Sequence, residues 1–250
     1  MSYRVLLTCE YDGTDFVGFQ HQENQRSVQD ELSKALCAVF GEEIAVTGCS
    51  RTDSGVHARG HVSHCDVPIK IPEDRLPYAL NSFLPSDLAV KKAMYVRDDF
   101  SARFDNNGKR YCYRIYKGAV RSPLISRYSY HAPYNLDISK MQKAATYFAG
   151  EHDFAAFCAA GGSQMTTVRK LNYVKVSVSP TNSDLIEIEV SGEAFLYNMV
   201  RIIAGTVFEV GIGKINPDDI SDIISSCDRK RAGKTLPASG LTLEEVYLDI

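Results

Sequence analysis

EIAVTGCSRTDSGVHARGHVSHCDV, residues Glu43 to Val67, sets two β-type runs on either side of a crowded loop. EIAVTGC and HVSHCDV alternate in the manner of half-buried strands. Between them Gly48, Gly55 and Gly60 allow positive φ and close backbone approach, so the loop presents Arg51, Asp53 and His57 at defined positions. Upstream, Tyr3 to Asp12 is β-rich. Ser27 then opens a helical pattern with Val28, Leu32, Ala35, Leu36 and Val39 on one face and Asp30 three residues after the capping serine. Downstream, PEDRLPYALNSFL reads as a helix entered through Pro72, and LAVKKAMYV as a fourth strand. The order is β-α-β-β-α-β, that of a ferredoxin-like unit, whose antiparallel sheet carries both helices on one face.

After the turn-forming DNNGK, Lys109 to Lys117 begins a second set of elements. A helix is predicted over Asp137–Phe148, a hairpin from NYVKVSVSP and DLIEIEVSG around Thr181 and Asn182, a long helix over Ala194–Val210, a short one over Pro217–Cys227, and a last strand EEVYLDI. The expectation is an α+β protein of two ferredoxin-like-derived domains with antiparallel sheets, residues 1–105 and 106–250, with an active-site cleft between them.

With 250 residues, 44% of them hydrophobic, the chain can bury a sizeable core without disulfides or metal. Its seven cysteines are odd in number and form no CxxC pair, which points to a reducing compartment, cytoplasmic by default. MSYRVLLTCEYDG lacks the basic and apolar regions of a secretory leader, and no apolar run is long enough for a membrane span.

The net charge of −3 is unevenly distributed. Between Lys91 and His131 ten Lys/Arg stand against three Asp, a local +7 that leaves −10 for the remainder. Tyr95, Phe100, Phe104, Tyr111, Tyr113, Tyr116, Tyr128 and Tyr130 interleave with those cations. Cations that pair phosphates beside rings that stack on bases suit nucleic acid, and the same alternation also suits ordinary strands with an aromatic core face and a solvated cationic face.

In the long helix, Asn198 and Arg201 interrupt a mostly apolar run. An arginine there either meets a carboxylate or extends to water. His57, His61 and His64 would form a zinc-like i, i+4, i+7 set on a helix, but the glycines and the β-type continuation disfavour that helix, and on a strand His61 and His64 point to opposite faces. Asp53, two residues after Arg51, suits either of two roles. Ionised and shielded, it is a covalent nucleophile for an electrophilic carbon; in an Asx turn it only caps backbone donors.

SRTDSGVHARGHVSH resembles the signature loop of the TruA family of tRNA pseudouridine synthases, GRTDxGVHxxGQV. YDGTDFVGFQ, SVQDELSKAL, FSARFDNNGKRYCYRIY, FLYNMVRIIAGT and SGLTLEEVYL match the family in the same order, from Tyr11 to Leu248. The resemblance implies isomerisation of uridine to pseudouridine at positions 38, 39 and 40 of the tRNA anticodon arm, without metal or cofactor, by a homodimer. It implies that Asp53 is the nucleophile, that Arg51 displaces and holds the target uridine, that Tyr111 packs against the flipped base, and that Arg201 pairs with the nucleophile. The chain departs from the family pattern at Ser50 in place of glycine, Phe19 in place of the tryptophan of GWQ, and His61 in place of the glutamine of GQV. Two other classes compete with this one: a noncatalytic RNA-binding protein, for which the chain lacks the RNP1 run of an RRM, and a histidine-cluster metallohydrolase.

Overall fold

The computed structural model describes residues 2–162 and 165–249. It divides into two compact units, Met1–Asn107 with Leu243–Ile250, and Gly108–Thr242.

In the first unit, strand β1 (Tyr3–Tyr11) leads to helix α1 (Val28–Phe40), a two-residue strand β2 (Thr47–Gly48), the long strand β3 (His57–Val67), helix α2 (Leu76–Asn81) and strand β4 (Leu88–Tyr95). β1 is central and antiparallel to both neighbours, with Val5 opposite Cys65 on β3 and Leu7 opposite Ala93 on β4. β2 pairs with β3, giving the order 4-1-3-2 of a ferredoxin-like sheet. Val5, Leu7 and Cys9 of β1 and Leu32 and Leu36 of α1 are buried where strand and helix periodicities both require it. The Ser27 hydroxyl caps α1 by accepting from the Asp30 N–H and donates to the Asp30 carboxylate.

One expected element is nearly absent. Ile44 and Val46 are buried, as the alternation predicts, yet Glu43–Val46 forms no ladder. The Val46 carbonyl instead accepts from the Gln29 side chain of α1 at 2.7 Å, so burial is met by docking on the helix. The last strand, β10 (Leu241–Tyr247), lies beside β3, which is why Leu243–Ile250 group with the first unit although they close the chain.

The second unit contains β5 (Gly108–Tyr116), a two-residue β6 (Tyr130–His131), α3 (Ile138–Thr146), β7 (Gly150–Asp153), β8 (Val168–Ser179), β9 (Asn182–Gly192), α4 (Met199–Gly211) and α5 (Ile220–Ser226). β5, β9, β8 and β7 are antiparallel neighbours in that order, with the expected hairpin between β8 and β9. α3 packs on β8 and α4. The α+β class with mostly antiparallel strand pairing is what the structure shows, the short β6 running parallel to β5. The long helix starts five residues later than its apolar pattern suggests, because Asn198 has φ 60° and ends the preceding extended segment.

Arg26 ties the segment before α1 to the start of β4. Its guanidinium grips both oxygens of Asp87 at 2.7 Å and lies 4.1 Å above the Phe16 ring. The hydrogen bonds from Arg26 hold the Asp87 carboxyl below the ordinary carboxylate value. A carboxyl depressed on folding stabilises the fold above its unfolded pKa and loses that contribution as pH falls through the folded value. Asp87→Asn is therefore expected to cost about 1 kcal/mol near neutrality and to flatten the decline of Tm below about pH 4. Parallel acid limbs in the two proteins would show that the pair is not coupled to folding.

Candidate active site

The RTD loop runs from Cys49 to Val56 and is fixed largely by main-chain bonds. Cys49 N–H donates to Val62 O at 2.9 Å, Phe19 N–H to Thr52 O at 3.3 Å, and Gly55 N–H to Phe16 O at 3.3 Å. A four-residue turn is closed by Val56 N–H on Asp53 O at 3.1 Å, with Gly55 in the left-handed region at φ 79°. Thr52 is buried and its hydroxyl meets Tyr11 Oη at 2.9 Å. The segment Gly13–Phe19 packs so tightly on this loop that a Cβ on Gly13 would come 2.0 Å from Val56 O. This close approach explains why YDGTDFVGF accompanies the RTD loop in the sequence.

Asp53 is half-buried at the head of the turn, and Arg51 is exposed two residues before it. In an Asx turn the Asp53 side chain would accept from backbone N–H groups two or three residues on. Those donors, at Gly55 and Val56, are spent on the carbonyls of Phe16 and Asp53 itself. The turn therefore does not need the Asp53 carboxylate for its closure.

The other two residues singled out by the sequence belong to the second unit. Tyr111 of β5 is buried, with its ring edge-on to Phe195 at 5.0 Å. Tyr113, two residues on along β5, is fully buried and donates from its hydroxyl to Pro237 O at 2.7 Å; burial pushes its pKa up. Arg201, in the first turn of α4, donates from Nε to the adjacent carbonyl, Leu236 O, at 2.8 Å and from Nη1 to Asn198 Oδ1 at 2.5 Å. Asn198 thus helps to orient this guanidinium. Their spacing of three was visible in the sequence, but the role was not, because Asn198 lies just outside the helix rather than on its face.

The model for tRNA pseudouridine synthases matches residues 8–105 and 144–249. This chain belongs to the tRNA pseudouridine synthase family. It is 48% identical to the tRNA pseudouridine synthase A of Ruminiclostridium cellulolyticum over 98% of this chain and 99% of that one. For the namesake of Acetivibrio thermocellus the figures are 47%, 97% and 98%, and for that of Bacillus licheniformis 45%, 98% and 99%. The synthase is accordingly an isomerase. The matched ranges contain Arg51, Asp53 and Arg201, and Tyr111 lies between them.

The three β3 histidines of the synthase bond different groups. His57 Nδ1 accepts from Gly13 N–H, His64 Nδ1 accepts from Ala102 N–H, and His61 Nε2 donates to Ser50 O. Among the described residues no group of three or more His, Cys, Asp or Glu side chains is placed to hold a metal ion. The zinc-like spacing is a by-product of a strand, β3, whose histidines serve different neighbours.

The basic segment is likewise resolved into two parts. On β5, Arg110 and Arg114 face Glu189 and Glu187 of β9, while Lys117 meets Asp184, so much of the local excess is neutralised across the hairpin sheet. Lys91 pairs with Glu10, and Arg97 with Asp99 and Asp105. Lys92, Arg103 and Arg121 are exposed cations outside those pairs, and Arg103 lies 5.3 Å over the exposed ring of Phe104. No helix among the described residues is long and apolar enough to cross a membrane.

Proposed function

We propose that this synthase converts uridine to pseudouridine at positions 38, 39 and 40 in the anticodon arm of tRNA, with Asp53 as the nucleophile. The observation that carries the reading is the support under Asp53: it heads a turn closed by main-chain bonds, on a loop held against the segment Gly13–Phe19. A carboxylate carried on a rigid support suits chemistry. The names of the full-length relatives supply the substrate class. Isomerisation breaks the bond from C1′ to the uracil nitrogen and forms one from C1′ to C5, with a proton leaving C5 and another added at nitrogen, so it is redox-neutral and needs no cofactor electron. The target base must leave the stack to be reached. Tyr111 would pack against it, Arg51 would hold the displaced nucleotide, and Arg201 would act on the charge of Asp53. The working enzyme is a cytoplasmic homodimer in this reading. Tritium release from C5-labelled uridine in tRNA, with the modified positions mapped in the product, tests it. Release without modification at 38–40 would retain the chemistry and overturn the site.

Arg201→Met is expected to lower the single-turnover rate about a hundredfold, the effect of removing one preorganised charge-stabilising donor, while tRNA affinity stays within about threefold. Asn198→Ala, which leaves the charge and frees its plane, should cost less. A full rate in Arg201→Met would remove this arginine from the site.

tRNA affinity is expected to fall with salt less steeply than ten cations would suggest. With about four phosphates neutralised, log K should drop by about 3 per decade of salt, and Arg121→Gln should reduce that slope by about 1. A slope unchanged by Arg121→Gln would place that cation outside the RNA-binding surface.

A further inference from the structure

His61 of β3 is completely buried beneath the start of the loop. Its ring stacks on Phe19 with centroids 4.0 Å apart and planes 19° from parallel, and Tyr11 flanks it at 6.0 Å. His61 Nε2 lies 3.0 Å from Ser50 O, and a carbonyl can only accept, so this bond requires the proton on Nε2. Cys49 Sγ is 3.8 Å from the same nitrogen and 3.6 Å from Ser50 Oγ. Phe19 occupies the space that a side chain at position 48 would need, since a Cβ on Gly48 would stand 2.3 Å from its ring. The three positions at which this chain departs from the family pattern, Phe19, Ser50 and His61, therefore form one contact cluster.

We propose that His61 is a positioning residue for the nucleophile loop, holding the Ser50 carbonyl through Nε2–H while Phe19 fixes the plane of its ring, and that the two act as a unit. The inference rests on the reading of Asp53 as the nucleophile. Ser50 comes directly before Arg51 and three residues before Asp53, and its carbonyl is held by a side chain where the flanking Cys49 and Thr52 anchors are main-chain bonds. A residue that only filled this space would be apolar. His61 instead leaves Nδ1 buried with no hydrogen-bond partner among the described residues, a cost that the bond to Ser50 offsets. Tilting the ring would carry the Ser50 peptide with it, and misplacement of a reacting group by a fraction of an ångström is enough to slow a positioned reaction.

The test uses the full chain and tritium release from C5-labelled tRNA. His61→Phe keeps a flat ring and loses the donor; kcat should fall about a hundredfold with KM for tRNA within about twofold. His61→Gln restores an N–H donor without the ring, and Phe19→Trp enlarges the stacking face; each alone should fall by about tenfold, and the double variant should recover to within about threefold of the parent. A kcat for His61→Phe within about twofold of the parent would overturn the proposal, as would a loss shared equally by kcat, KM and Tm, which marks a merely structural role. If His61→Phe does not fold, the double-variant cycle decides alone: multiplicative losses overturn the unit. Asp53→Asn assayed alongside separates the two readings. Turnover by that variant removes the nucleophile, whereas its silence beside a normal His61→Phe removes only the positioning role.

Discussion

Asp53→Asn is expected to form no measurable pseudouridine while folding normally and binding tRNA as the parent does. The substitution keeps the shape of the side chain and removes its charge and nucleophilicity. The turn closes through main-chain bonds: Val56 N–H donates to the Asp53 carbonyl, Gly55 N–H is held by Phe16, and Thr52 is held by Phe19 and Tyr11. Tm should thus move by no more than about 1 kcal/mol equivalent, the range of a substitution without a structural mechanism. Loss of a covalent nucleophile removes a whole reaction path, so the rate should fall by at least about 10⁴-fold, ~5.4 kcal/mol of barrier. Single-turnover tritium release with saturating enzyme isolates that step from binding. A residual rate within about tenfold of the parent, ~1.4 kcal/mol, would be incompatible with covalent catalysis by this residue.

Much of this architecture is legible in the sequence because it follows local periodicity. The Ser27 cap, the face of Leu32 and Leu36 on α1, and the alternation of Val5, Leu7 and Cys9 on β1 each depend on residues a few positions apart, and they suffice for the β-α-β-β-α-β order. Where the structure differs, a distant partner decides. Ile44 and Val46 look like a strand because they alternate, and Gln29 of α1 takes the carbonyl that a ladder would have used. Phe195 and Leu196 continue the apolar stripe of α4, and the positive φ of Asn198 removes them from the helix, leaving Phe195 to meet Tyr111. The cations of β5 suit either a nucleic-acid stripe or the solvated face of a strand, and only the register with β9 shows that glutamates stand against them. Asp53 and Arg51 stand out by residue type and spacing. Phe19 and His61 stand out only as departures from the family pattern; their support of the loop does not, because nothing along the chain shows that a ring at 19 lies on a ring at 61.

The same long-range closeness makes Gly18 a sensitive position outside the chemistry. Gly18→Ala is expected to lower stability by more than about 2 kcal/mol and to slow turnover about a hundredfold. Gly18 has φ 117°, where an L side chain is strained, and a Cβ there would stand 2.2 Å from Thr52 O. That oxygen cannot swing aside freely, since it accepts from Phe19 N–H and its residue is held by Tyr11. Relief must come from moving the Thr52–Asp53 peptide, and Asp53 moves with it. Gly41 provides the control: it caps α1 at φ 78°, with nothing within 4 Å of an added Cβ. Gly41→Ala bears the backbone strain alone and should cost about 1 kcal/mol with turnover unchanged. Thermal unfolding and single-turnover rates on the two variants separate strain from collision. Equal Tm losses with normal turnover in both would mean that the loop yields at Gly18 without displacing Asp53, and that the clamp seen between Gly13–Phe19 and the RTD loop does not set the position of Asp53.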